Sequence, residues 1–192
     1  MYYRLRSTPV LEGIYDVWEP DLGGAFSWVS GQPITTPLPN PIEVKLDDSY
    51  GTRLPDLFDT TITLMSDTLV AALRRAGVTN IDTYPAVLVD EKRNLRIPGY
   101  QAVQVLGRIK AADPEKSVVY DPTGVGRNIV SFDKLVISEA AARGQLMFRL
   151  LESATTLIVH ERVKAEVDKA SLRFVSVHPT DDPPTPLDLH EL

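Results

Sequence analysis

The 192-residue sequence predicts an α+β fold (mixed α/β) in which two similar helix–strand units pack on β-sheet, with a proline-rich extended segment over one side. Three observations carry this expectation. In "PIEVKLD", Ile42, Val44 and Leu46 alternate with Glu43, Lys45 and Asp47, the period of a strand with one wet face. From Leu64 onward the period lengthens: Met65, Leu69, Leu73 and Ala76 recur at helical spacing, with Ala72 on the same stripe. A helix-then-strand pattern then returns at an offset of 94, pairing Leu64 with Ile158, Leu69 with Val163, Leu73 with Val167 and Pro85 with Pro179. Only Ala71/Ala165, Ala76/Ala170 and the two prolines are identical. A duplication and a chance likeness both account for so sparse a match.

Residues 1–60 are rich in turn formers, and "GQPITTPLPNP" places Pro33, Pro37, Pro39 and Pro41 close together. Proline fixes its own φ, removes a donor and biases its predecessor toward extended geometry, so this run is neither helix nor central strand. The preceding "GAFSWVSG" reads as a short strand. A helix is expected over 67–76: Ser66 or Asp67 can accept the free N–H groups of its first turn, and Gly77 can take the left-handed conformation that ends it. "PAVLVD" and "YQAVQVLGRI" read as strands joined across "DEKRNLRIPG".

A polar stretch, "AADPEKSVVYDPTGVGRN", leads to the second half. There Phe132–Ile137 and Gln145–Leu151 read as short buried strands, with a helical turn or two in "SEAAARG" between them. The last helix carries Val159, Val163, Val167 and Ala170 as its apolar stripe, and "LRFVSV" follows as a strand. The expected organisation is therefore an N-terminal segment over 1–60, a core over 61–180 and an acidic tail over 181–192.

Composition limits the functions available. A 43% hydrophobic content is ample for an interior, and zero cysteines exclude disulfides, thiolate metal sites and cysteine nucleophiles. With "MYYRLRSTPV" lacking a basic-then-apolar leader, a cytoplasmic home is expected. No apolar run approaches the roughly 20 residues that cross a bilayer. The net charge of −6 leans on the tail, which holds Asp181, Asp182, Asp188 and Glu191 without a base. An acidic total repels phosphate backbones, so nucleic acid is not an expected partner, whereas a basic protein suits it.

Few residues point to chemistry. His160-Glu161 precedes a helix, and the same offset sets it over Ser66-Asp67, so capping is expected of both. The chain has only His160, His178 and His190 and no H-E-x-x-H. "DPTGVGRN" lacks the third glycine of a dinucleotide fingerprint and the Gly-Lys of a P-loop, so it reads as a turn. No G-x-S-x-G is present. Asp47, Asp48, Asp56 and Asp59 fall in turn contexts where aspartate commonly bonds its own backbone. Trp18, Phe26 and Trp28 are expected to fill the core under the proline loop; any left exposed beside Asp47-Asp48 would form an aromatic-plus-acid patch suited to a protein interface.

The run "FDKLVISEAAARGQLMFRLLES", then "LIVHERVKAEV" and "LRFVSV", resembles the immunity proteins of bacterial polymorphic toxin systems, of the myxobacterial-type family. The preceding "TYPAVLVD" and "YQAVQVLGRIKAADPEKS" resemble the middle of that family, so the likeness spans roughly residues 60–178. Its motifs are an aromatic-Asp start, Phe132-Asp133, and an aromatic-Arg-Leu strand, Phe148-Arg149-Leu150. The chain departs from the family at His160, where Ser or Thr is usual, and near Ser171, where Gly is.

The resemblance implies a cytoplasmic protein that binds and neutralises a cognate toxin. It transfers no catalytic, cofactor or metal residues. The candidate toxin contacts are Asp47, Asp48, Asp56, Asp59, Trp18 and Trp28, and no cofactor is called for. Two other readings stay open: a small hydrolase using surface carboxylates, and a self-associating scaffold, the latter making a homo-oligomer.

Overall fold

A computed structural model describes residues 1–8, 13–23, 26–60, 62–120 and 130–182. The "DPTGVGRN" turn and residues 183–192 of the acidic tail lie outside the described residues. Among those described, the chain is mainly β with three short helices. Its first half runs β1 (Tyr2–Ser7), β2 (Asp16–Val17), β3 (Ile42–Asp47), β4 (Leu57–Asp59), β5 (Thr63–Ser66), α1 (Asp67–Ala76), β6 (Ile81–Asp90) and β7 (Leu95–Val105). The second half adds β8 (Arg108–Ile109), β9 (Val118–Tyr120), β10 (Ser131–Lys134), α2 (Glu139–Ala142), β11 (Met147–Leu150), β12 (Leu157–His160), α3 (Glu161–Asp168) and β13 (Val175–Pro179).

Less of the chain is helical than its apolar spacing predicts. Met65 and Val159, both on expected helical stripes, belong to β5 and β12, where each strand is hydrogen-bonded on both sides. Ala170 lies beyond α3, which ends after eight residues. The unequal helix ends have a local cause. Gly77 takes φ 97° and donates its N–H back to Arg74 and Leu73, whereas α3 stops at Lys169 with no left-handed glycine, and the chain turns at Ser171 with φ 49°. "GAFSWVSG" is not a strand over its described residues. The Ser27 and Ser30 hydroxyls accept the N–H groups of Val29 and Gln32, turning the chain where a ladder would need those donors.

Two sheets carry the fold. One has the order β2-β3-β6-β7-β5-β4 and is mixed, since β3 runs parallel to β6; the other is β13-β1-β12-β11-β8. The six-stranded sheet is barrel-like and nearly closed. Its edges approach where Ile14 bridges Arg53, the Tyr15 N–H donating to the Arg53 carbonyl at 2.9 Å.

The sheets repeat one pattern. In the first, β4 pairs β5, β5 pairs β7 and β7 pairs β6; in the second, β11 pairs β12, β12 pairs β1 and β1 pairs β13, all antiparallel. The registers match as well as the order. Leu57 faces Met65 as Met147 faces Val159, Ser66 faces Tyr100 as His160 faces Tyr2, and Pro85 faces Gln101 as Pro179 faces Tyr3. Each unit is thus strand–strand–helix–strand–strand, but the fourth strand of the second unit is β1, from the other end of the chain.

The shared core lies between the units. It takes Leu57, Met65, Leu69, Leu73 and Val103 from the first and their counterparts Met147, Val159, Val163, Val167 and Leu5 from the second. All ten are buried, and burial of this apolar surface at roughly 25 cal/mol per Å2 is the main force joining the halves. The N-terminal and proline-rich segments pack on the face of the first sheet turned away from the shared core, where Tyr15, Trp28, Ile42 and Val44 cluster with Phe58 and Tyr100. β10 and α2 cover the second sheet, over Tyr2, Phe148 and Ile158.

Candidate functional site

His160 caps α3, and Glu161 is the helix's first residue, an acid in its first turn. The His160 Nδ1 accepts the Arg162 N–H at 3.3 Å, as the Ser66 hydroxyl accepts the Leu69 N–H at 3.2 Å at the start of α1. The imidazole also packs edge-on against Tyr2, centroids 5.3 Å apart. Among the described residues no group of three or more His, Asp or Glu is placed to hold a metal ion.

The six candidate contacts do not form one surface. Trp28 is buried, edge-on to Phe26 and Tyr84 at 5.6 and 6.0 Å, as expected of a core residue. Asp56 is buried and accepts the Arg173 N–H at 2.6 Å. Asp59 accepts the Ser7 N–H at 3.0 Å; loss of hydration pushes its carboxyl up, against the pull of Arg6 and Arg149. These two acids tie β4 to the second unit, whereas Trp18 follows β2, at the other end of the strand order.

The remaining acids lie around the tip of the β6–β7 hairpin. Asp47 accepts the Ser49 N–H at 2.9 Å and so closes its own turn. Asp48 pairs with Lys92 and Arg93, whose hydrogen bonds hold its carboxyl below the usual range. Arg93 also reaches Asp90 at 2.7 Å, and there the Tyr15 hydroxyl donates at 2.6 Å. The Tyr15 hydrogen bond first, then Arg93, hold the Asp90 carboxyl down to about 2. Asp48 and Asp90 are therefore fixed anions that fasten the N-terminal segment to the hairpin, whereas a general acid needs a carboxyl pushed up.

Trp18 departs from the core role expected of it, with 61% of its surface exposed. Strand geometry is the reason. Val17 faces Leu46 and points inward; Trp18, one residue on, donates its N–H to the Lys45 carbonyl at 2.9 Å and points the other way. Pro20 then leads the chain off the sheet. The ring borders a cleft of about 310 Å3 lined also by Glu19, Asp21, Pro39, Glu43 and Lys45. Glu43 is paired with Arg96 and Lys45 with Glu91, the latter at 2.8 Å.

Glu19, Asp21 and Glu43 are absent from the contacts expected from sequence. Their signal was present in "WEPDL", an exposed-type tripeptide after a tryptophan, and in the wet face of "PIEVKLD". What sequence could not give was the crossing of the two segments, which the β2–β3 pairing provides. No protein-family model matches the chain, and no curated protein matches it.

Proposed function

We propose that the protein is an immunity protein that binds and neutralises a cognate bacterial toxin in the cytoplasm by contact, without chemistry of its own. The observation that carries this reading is Trp18, a large apolar side chain left exposed in an acid-lined cleft while Trp28, Phe58 and Tyr100 are buried. Tryptophan is enriched among residues that dominate binding energy, and the Trp18 backbone is already tied to Lys45 by its N–H.

Two further facts support it. The hydrophobic and aromatic motifs over residues 60–178 resemble those of the myxobacterial-type immunity family. The acids in the best position for bond making, Asp48, Asp56, Asp59 and Asp90, are occupied in joining segments of the fold. A basic toxin surface would complement the net charge of −6.

The test is co-expression with the toxin encoded beside this chain. Protection of growth, with a stable complex recovered from the same cells, is the expected result; growth arrest with no complex would reject the reading.

A further inference from the structure

We propose that the Trp18 cleft is built to take an arginine side chain of the protein partner. This rests on the reading of the chain as a toxin-binding protein and specifies the chemistry that its face recognises.

The apolar wall is preset. Trp18 is anchored through its backbone to Lys45, Pro20 fixes the chain two residues on, and Pro39 also lines the cleft. Trp18 is the most exposed Phe, Trp or Tyr among the described residues. A planar cation can stack on it, held by the negative face of the ring.

The charges select that cation. Arg96 balances Glu43 and Glu91 balances Lys45, so those four cancel in pairs. Glu19 and Asp21 remain, with no ion pair among the described residues. Asp21 uses one oxygen to accept the Gly23 N–H at 3.1 Å and keeps the other. An exposed aromatic ring thus lies beside two acids, Glu19 and Asp21, that have no ion pair among the described residues.

Size and shape favour one long side chain. About 310 Å3 is at the lower end of the roughly 300–1,000 Å3 typical of small-molecule pockets, too small for a helix or an extended cofactor. Arginine fits better than lysine because its flat guanidinium stacks and forks to carboxylates at once, whereas an ammonium is a hydrated point charge. A proline-rich segment would use the ring but gain nothing from Glu19 and Asp21.

The chain has only two tryptophans, so the indole N–H resonance of buried Trp28 serves as an internal reference for Trp18. Titration with N-acetyl-arginine amide should give a saturable shift at Trp18 and none at Trp28. The lysine amide should bind several-fold more weakly, and the neutral citrulline amide should leave Trp18 unmoved. Joint Glu19→Gln and Asp21→Asn replacement should weaken arginine binding by about tenfold. No saturable shift, equal binding of citrulline, or indifference to the two replacements would each overturn the proposal. The toxin reading fails separately: binding of arginine amide by a chain that does not bind its toxin leaves the cleft standing and removes the partner.

Discussion

Phe58 and Phe148 occupy the same place in two different sheets. Each sits on the strand that pairs with the strand before a helix, and each packs against a tyrosine at the matching position, Phe58 on Tyr100 at 6.1 Å and Phe148 on Tyr2 at 5.7 Å. Because Tyr2 lies on β1, the second unit is completed by the first strand of the chain. Two of the predictions below concern how these halves are joined.

If β1 serves the second unit as β7 serves the first, the chain can be reconnected accordingly. Pro179 faces Tyr3, as Pro85 faces Gln101, so the end of β13 lies beside the start of β1. A permuted chain running 13–182, a short glycine linker and then 1–8 should fold, with the circular dichroism of the parent and a single cooperative urea transition. A non-cooperative, unfolded product would show that the two units are not equivalent.

Arg149 and Asp59 are matching positions of the two units, and their opposite charges meet near the joint. Arg149 is 2% exposed and donates to the Thr63 hydroxyl at 2.6 Å and the Ala154 carbonyl at 3.0 Å. Burial lowers its pKa to about 10, while the Asp59 charge opposes that shift. Arg149→Met alone should cost about 3–5 kcal/mol, because it strands buried acceptors and removes the countercharge of Asp59. Adding Asp59→Asn should cost less than it does in the parent background. Urea unfolding of the four proteins measures the coupling; strict additivity would contradict it.

The capping residues carry a smaller, local share. Ser66→Ala should cost about 1 kcal/mol by freeing the Leu69 N–H. His160→Ser keeps an acceptor at the start of α3 and should leave protection against the toxin intact. Loss of protection in a folded His160→Ser protein would restore a chemical role to the imidazole.

Asp90 gives the fold an acid limb of definite sign. Its carboxyl is held at about 2, against about 3.9 in an unfolded chain, so the native state gains stability above pH ~4 and loses it as pH falls through ~2. Asp59 acts the other way: its carboxyl is raised, so its contribution is full below ~3.9 and is lost as pH rises above that value. Asp90→Asn should therefore be less stable than the parent at pH 5, with the gap narrowing between pH ~4 and ~2 in urea midpoints. A constant gap would mean that Asp90 is not titrating in that window.

Much of the repeat was visible in the sequence and part of it was not. The offset of 94 aligns β5 with β12, Asp67 with Glu161 and the starts of β6 and β13, all of which follow one another without insertion. It cannot align Phe58 with Phe148, because the loop between β11 and β12 is longer than that between β4 and β5. Nor can it align Tyr100 with Tyr2, since a linear comparison does not wrap from one end of the chain to the other. The helical spacing at Met65 and Val159 misled because a short buried strand followed by a helix leaves one continuous apolar pattern. For the candidate site, sequence named Trp18 and the acids of the β3 turn but could not separate an exposed indole from a buried one, which depended on the strand alternation at Val17.

On the proposed function, the toxin docks on the face around Trp18. Calorimetric titration of the purified toxin with the parent protein and with Trp18→Ala tests it most directly. The parent should bind, and the replacement should weaken binding by about 30-fold or more, the loss of at least ~2 kcal/mol expected when a dominant interface residue is truncated. Equal affinity for the two proteins, or no heat of binding from a folded parent, would contradict it.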